Sequence, residues 1–303
     1  MAEGIIAELN ELLALRRYAQ SVTYKPEGRA LRRGNHLSKL RGRGMDFAEV
    51  RNYQAGDEIR HMEWRVTART GRPHVKIYQE ERERPVVILA DFSPTMFFGT
   101  RTAFKSVIAS RLAALLSWTA VKQGDRVGGL LFSSNGHEEF MPRGRETGIL
   151  PMLSSLSHHT QQKISRYTIQ PEALAKALLR LRRVTRPGSI LILISDFYNI
   201  NDECEKHLHR LRYHNDVLAY HICDPLELVS PIPEQYAISN GQEEILFDTR
   251  IHTVQEGYQK YCQQRISALQ DLFKRTSIQY IQITSDDNLP QLVRQTYPRR
   301  SHG

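Results

Sequence analysis

Asp91, Ser93 and Thr95 place three oxygen-bearing side chains at alternate positions, directly after the aliphatic run Val86-Val87-Ile88-Leu89. A second carboxylate, Asp196, follows a second such run, "SILILIS" (Ser189 to Ser195). Every donor here is oxygen; no His or Cys stands beside them. Hard divalent cations take oxygen ligands, and Mg2+ favours an octahedron that keeps several waters. Two hydroxyls one residue apart can reach one ion from one loop, and two carboxylates can balance its charge directly or through water. The plainer alternative is that Asp91 and Asp196 cap the helices that follow, with Ser93 and Thr95 as turn residues. D-x-S-x-T alone favours that alternative; a second strand ending in Asp shifts the balance toward a site. Two carboxylates brought together repel, so one needs a proton, a Lys or Arg, or a metal. Neither loop holds a basic residue, and Arg101 and Lys105 lie farther along toward the next helix. A Mg2+ or Mn2+ ion, weakly bound until a partner adds a ligand, is the expected solution.

The surrounding patterns must bring those loops together. Buried strands are expected at 86–90, 127–132, 189–195, 216–222 and 278–284, with 138–141 as a hairpin partner of the second. Helices are expected at 5–18, 102–121, 146–156, 171–183, 202–213, 253–275 and 287–296, the last capped by Ser285 or Asp286. In the helix after the first strand, Phe104, Val107, Ile108, Leu112 and Leu115 would share one face. Strands apolar on both faces, alternating with helices, argue for an α/β fold with a doubly wound, mainly parallel sheet. Such sheets bind ligands beyond the carboxyl ends of their strands, which is where Asp91 and Asp196 stand. The expected division is 1–84, with a helix, a basic loop and a strand-bearing segment, and 85–300, the α/β domain, with an excursion at about 225–251.

Composition narrows the function classes. The chain has 303 residues and a net charge of +9, enough length for a sizeable core. No apolar run approaches bilayer length, and no basic n-region precedes an apolar h-region. The three cysteines, Cys204, Cys223 and Cys262, lack metal-ligand spacing. A cytoplasmic setting is therefore expected. Lys25, Arg29, Arg32, Arg33, Lys39, Arg41 and Arg43 crowd one stretch, with Glu27 as its one acid. No aromatic interleaves them, so a base-stacking platform is not suggested; a solvated face or a protein partner is expected, with no specific nucleic acid. There is no P-loop, H-E-x-x-H or G-x-S-x-G motif. His207, His209 and His214 read as a solvated helix rather than a zinc site.

Asp91-Phe92-Ser93-Pro94-Thr95-Met96 resembles the metal-ion-dependent adhesion site of von Willebrand factor A-like domains, and "ISDF" resembles that site's last acidic loop. Residues 42–83 resemble the signature of the bacterial domain of unknown function 58 family. Its spacing is met by Arg51, Tyr53, Gly56, Asp57, Arg60, Trp64, Ala68 and Arg69. "GDRVGGLLF", "CDPLE" and "FDTR" are similar to later landmarks of that family. The resemblance implies a von Willebrand factor A-like fold, with strand order 3-2-1-4-5-6 and Val86–Ala90 central. It implies a non-catalytic interaction module, an adaptor for a MoxR-type AAA+ ATPase in chaperone-like maturation or assembly of a client protein. Many relatives carry transmembrane helices ahead of the signature; this chain shows none. The family usually has Ser where Thr95 stands, which keeps the hydroxyl, and Pro94 stiffens the loop. The implied middle ligand is Thr168, with Thr160 as the alternative.

Within the signature, Gly56-Asp57 should form a turn capping a short helical stretch through Met62, and Trp64 should anchor a core. Arg51, Arg60 and Arg69 should form a buried pairing network with Asp46, Asp57 and Glu63, ahead of the alternative that they make a partner surface. The competing function is a Mg2+-dependent hydrolase or nuclease acting on an anionic substrate. A two-metal hydrolase needs more carboxylates at the rim, with a base or a Lys for the transition state. The strand ends offer hydroxyls instead, which favours the interaction module.

Overall fold

A computed structural model describes residues 4–19, 45–80, 84–161, 170–239 and 244–297. The basic stretch Lys25 to Arg43 and Thr168 lie outside the described residues. In chain order the elements are α1 (Leu9–Ala14), α2 (Arg16–Ala19), β1 (Met45–Asn52), α3 (Trp64–Thr70), β2 (His74–Glu80), β3 (Pro85–Asp91) and α4 (Lys105–Lys122). Then come β4 (Arg126–Ser133), β5 (Gly136–Arg143), α5 (Leu150–Gln161), α6 (Ala173–Val184), β6 (Ile190–Ser195), α7 (Asp202–His214) and β7 (Asp216–Cys223). The last are β8 (Gln235–Ser239), β9 (Glu244–Asp248), α8 (His252–Arg275), β10 (Gln279–Thr284) and α9 (Leu289–Thr296). Among the described residues, 4–19 and 84–297 form one compact unit and 45–80 a second.

The larger unit is built on a six-stranded sheet of order β10-β7-β6-β3-β4-β5, parallel except for β5 at one edge. Numbered within this sheet, that is the expected 3-2-1-4-5-6, with β3 between β6 and β4. Alternation along β3 explains why its run is apolar throughout: Val86, Ile88 and Ala90 enter the core on one face, Val87 and Leu89 that on the other. β6 repeats the division, Ile190, Ile192 and Ile194 against Leu191 and Leu193. Helices α1, α2, α4, α5 and α9 cover the first face, and α6, α7 and α8 the second. Gly128 in β4 is required by close approach, because a Cβ there would lie 2.4 Å from the Phe140 carbonyl oxygen of β5. The β8–β9 hairpin forms the expected excursion between β7 and α8.

Three local readings are corrected. The helix over 5–18 is two short ones, and α9 is capped by Asn288, whose Oδ1 accepts from Gln291 N at 3.1 Å, not by Ser285 or Asp286. Helix α4 does not bury one face; every residue from Lys105 to Ala120 except Arg111 is buried. The sheet lies on one side and α1, α2, α5 and α9 pack on others, so its polar positions must be satisfied internally. Ser110, Ser117 and Thr119 donate to the carbonyls of Ser106, Ala113 and Leu115 at 2.7–2.9 Å.

The smaller unit pairs β1 and β2 antiparallel. Arg51 grips both carboxylate oxygens of Asp57 at 2.8 Å, and Asp57 Oδ2 also accepts from Gln54 N at 2.8 Å. Gly56 sits at φ +109 in this turn, a conformation open to glycine. The 3-10 turn Ile59–His61 follows, and Tyr53 N donates to the Pro73 carbonyl at 2.8 Å. Among the described residues the wider arginine network is not formed: Glu63 pairs with Lys76 at 2.5 Å, and Arg60 and Arg69 are exposed. The side chain of Asp46 lies outside the described residues. Trp64 is 64% exposed at the start of α3 and anchors no core; a seven-residue helix on a two-stranded sheet has too little apolar surface to enclose an indole.

Candidate functional site

The carboxyl ends of β3 and β6 are adjacent, and their loops meet. Asp91 Oδ1 accepts from Ser93 N at 2.7 Å and from Ser93 Oγ. Asp91 Oδ2 accepts from Ser195 Oγ at 2.6 Å, and Ser195 Oγ accepts from Phe197 N at 2.9 Å. Asp196 Oδ1 accepts from Tyr198 N at 3.0 Å. Both carboxylates thus hold tight turns of their own loops. Neither caps a helix: the residue ahead of α4 is Phe104, and α7 is capped by Asn201. Phe197 has φ 49, rare for a non-glycine residue, and its buried ring packs edge-on against Phe273 at 5.0 Å. Packing and the Ser195 contact hold this sharp reversal.

One expectation fails here. A basic residue does stand beside the carboxylates: Lys105, in the first turn of α4, donates to Asp196 Oδ2 at 2.9 Å and to Glu227 Oε1 at 2.7 Å. The Lys105 and Asp196 side chains are 3% and 1% exposed. A metal is therefore not needed to neutralise Asp196. Glu227 begins the excursion, where it forms a capping box with Asp224, which in turn accepts from Thr100 N and Oγ1 at 2.8 and 2.6 Å. This pair is hard to read from the chain alone, because its partners are 91 positions apart. Ser195, inside "SILILIS", was visible but indistinguishable from the end of a strand.

The two carboxyls are tuned apart. Burial, and then the Asp196 charge, push Asp91 up to about 7. Burial pushes Asp196 up as well, but the Lys105 ammonium outweighs it, and Asp196 is held below the ordinary carboxylate range. Burial opposes the charged form of Lys105, yet Asp196 and Glu227 raise it. Asp196 is thus held toward its anion and Asp91 toward its protonated form.

Thr95 Oγ1 is buried without a hydrogen-bond partner; it lies near enough to Asp196 to favour the anion. Ser93 spends its proton on Asp91, so its oxygen lone pairs stay available. Asp91, Ser93, Ser195, Asp196 and Tyr198 line a crevice of about 10 Å³, room for about one water. Three carboxylates against one ammonium leave the cluster anionic when Asp91 is ionised. This donor set fits a hard divalent cation. Thr160 does not join it: its Oγ1 accepts from Ala7 N at 3.0 Å and donates to the Ser157 carbonyl at 2.8 Å, tying α5 to the N-terminal segment. Among the described residues, no cluster of three or more His, Cys, Asp or Glu is placed to hold a metal, so any ion here must rely on hydroxyls. His207 is buried at the α6–α7 contact, its Nδ1 3.1 Å from Arg182, while His209 is exposed. No described helix is long and apolar enough to cross a membrane.

Uncharacterized proteins of Mycobacterium bovis and Mycobacterium tuberculosis are each 30% identical to this chain over 240 residues, covering 76% of it and 71% of the relative. Among solved structures, the conserved hypothetical protein BatB of Bacteroides thetaiotaomicron matches with TM-score 0.45 and 17% identity, covering 70% of this chain and 96% of that one. The SpRpn10 VWA domain matches with TM-score 0.38 and 15% identity, covering 73% and 100%. The family model described as "Protein of unknown function DUF58" matches residues 49–267. With that match spanning five of the six strands of the main sheet and both loops of the candidate site, the chain belongs to the DUF58 family.

Proposed function

We propose that the chain is a metal-dependent protein-interaction module without catalytic activity, working as an adaptor for a MoxR-type AAA+ ATPase in the maturation or assembly of a client protein. The observation that carries the site is the buried, unpartnered Thr95 Oγ1 beside Ser93, Asp91 and Asp196. These four residues, with Thr168 outside the described part, would hold Mg2+ or Mn2+. The ion would supply a Lewis-acidic position for a carboxylate of the partner. The choice of an ATPase partner rests on the family resemblance. Lys105 offsets part of the negative charge, which supports weak metal binding until a partner completes the shell. The hydrolase reading is disfavoured because Lys105 is consumed by two carboxylates and the other carboxylate pair of the rim, Asp224 and Glu227, is tied up in a capping box.

The test is calorimetric titration with Mn2+ of the wild type and Asp91→Ala, together with capture of the ATPase with and without EDTA. Binding is expected in the wild type, with loss in the variant and release of the partner by EDTA. Equal Mn2+ binding by both proteins, with capture intact in EDTA, would reduce the cluster to a buried structural network.

A further inference from the structure

The geometry points to a second, basic element of the same surface: a cleft along α6 that receives an acidic segment of the protein partner. A cavity of about 440 Å³ lies between α6 and the β4–β5 turn. Its helical wall carries Lys176, Arg180 and Arg183, spaced four and three residues apart and so on one face. Phe132 and Ala173 line both this cavity and the crevice of Asp91 and Asp196. The cleft therefore adjoins the candidate site and runs away from it along the helix.

The charge is only partly offset. Arg180 is paired with Glu139, and Lys176 is bonded to exposed Glu172 at 2.9 Å. Arg183 is exposed and has no ion pair among the described residues. From Ala173 to Arg183 the helix rises about 15 Å, the reach of about four or five extended residues. A point anion would use one of these cations. A row of three, next to a site suited to a carboxylate, matches a run of Asp or Glu on an extended chain. Such a run would be steered in by the row and held at its end by the metal site. This part rests on the metal reading above; the cleft itself does not.

The probe is a fluorescein-labelled hexaglutamate peptide, with hexaglutamine as control, followed by anisotropy at low salt in EDTA and again in Mg2+. The proteins are the full chain, Lys176→Glu/Arg183→Glu, Asp91→Ala, and Lys260→Glu/Lys274→Glu, which makes the same charge change on α8. Hexaglutamate, and not hexaglutamine, is expected to bind, with affinity reduced about tenfold or more by the α6 variant in both conditions and little changed by the α8 variant. Wild-type affinity in the α6 variant, equal losses in both double variants, or displacement of the peptide by ATP at equal concentration would overturn the proposal. A Mg2+ increment present in the wild type and absent in Asp91→Ala supports the joined surface. Cleft binding without any Mg2+ increment would remove the metal reading and leave the cleft.

Discussion

Two ion pairs of similar length behave as opposites. Lys105–Asp196 has side chains 3% and 1% exposed; Arg51–Asp57 has 34% and 20%. The first joins residues 91 positions apart under the rim of the sheet, the second residues six positions apart in one turn. Water solvates Arg51 and Asp57 with or without each other, so their bond fixes local geometry and little else. Lys105 and Asp196 have no such recourse: without Lys105 the buried Asp196 is stranded, whereas Lys105 without Asp196 keeps Glu227. The pair that the sequence displays is the weak one, and the strong one belongs to the candidate site.

The comparison breaks most visibly at Lys105. Lys105→Met should cost about 3–5 kcal/mol, the usual penalty for orphaning a buried charge, read from urea unfolding in EDTA. Lys105→Met/Asp196→Asn should recover part of the loss; a single variant within error of the wild type would mean that water reaches the pair.

A somewhat smaller effect comes from Asp91. Its folded pKa of about 7 lies above the ordinary 3.8, so the folded chain retains a proton that the unfolded chain gives up. Its contribution to stability is full below about 3.8 and fades as pH rises through about 7. Asp196 is shifted downward, so its contribution is lost only as pH falls below the ordinary carboxylate range, and the two windows stay apart. Asp91→Asn should gain about 2–4 kcal/mol on the wild type between pH 4 and pH 7 in EDTA. Parallel stability–pH curves for the two proteins would show that Asp91 is ionised throughout.

The smallest effect is expected at the exposed pair. Arg51→Met should leave the main unfolding transition where it is and raise amide exchange chiefly at Gln54, whose N–H is held by Asp57. A shift of the whole transition would show that the turn carries more than its own geometry.

Much of the frame was legible because strands buried on both faces must be aliphatic at every position, as β3 and β6 are. Their carboxyl ends then followed from parallel pairing, and with them the meeting of Asp91 and Asp196. What could not be read was enclosure. Helix α4 spells an amphipathic pattern, yet other helices close over its polar side. Trp64 looks like an anchor by type, yet the small unit has nothing to wrap it. Lys105 is an ordinary first-turn residue until the fold swings Asp196 and Glu227 around it. Asn288 and Ser285 are both plausible caps, and only the start of the helix decides between them.

The sheet's one antiparallel strand has a consequence for how any partner meets the molecule. β5 pairs with β4 on one side only. It carries Glu138, Glu139, Pro142 and Arg143, and Pro142 has no amide hydrogen to donate. Charge and a missing donor are what natural edges use to refuse a guest strand. A guest strand is refused along this border, and the edge of this sheet left to meet one by its backbone is β10.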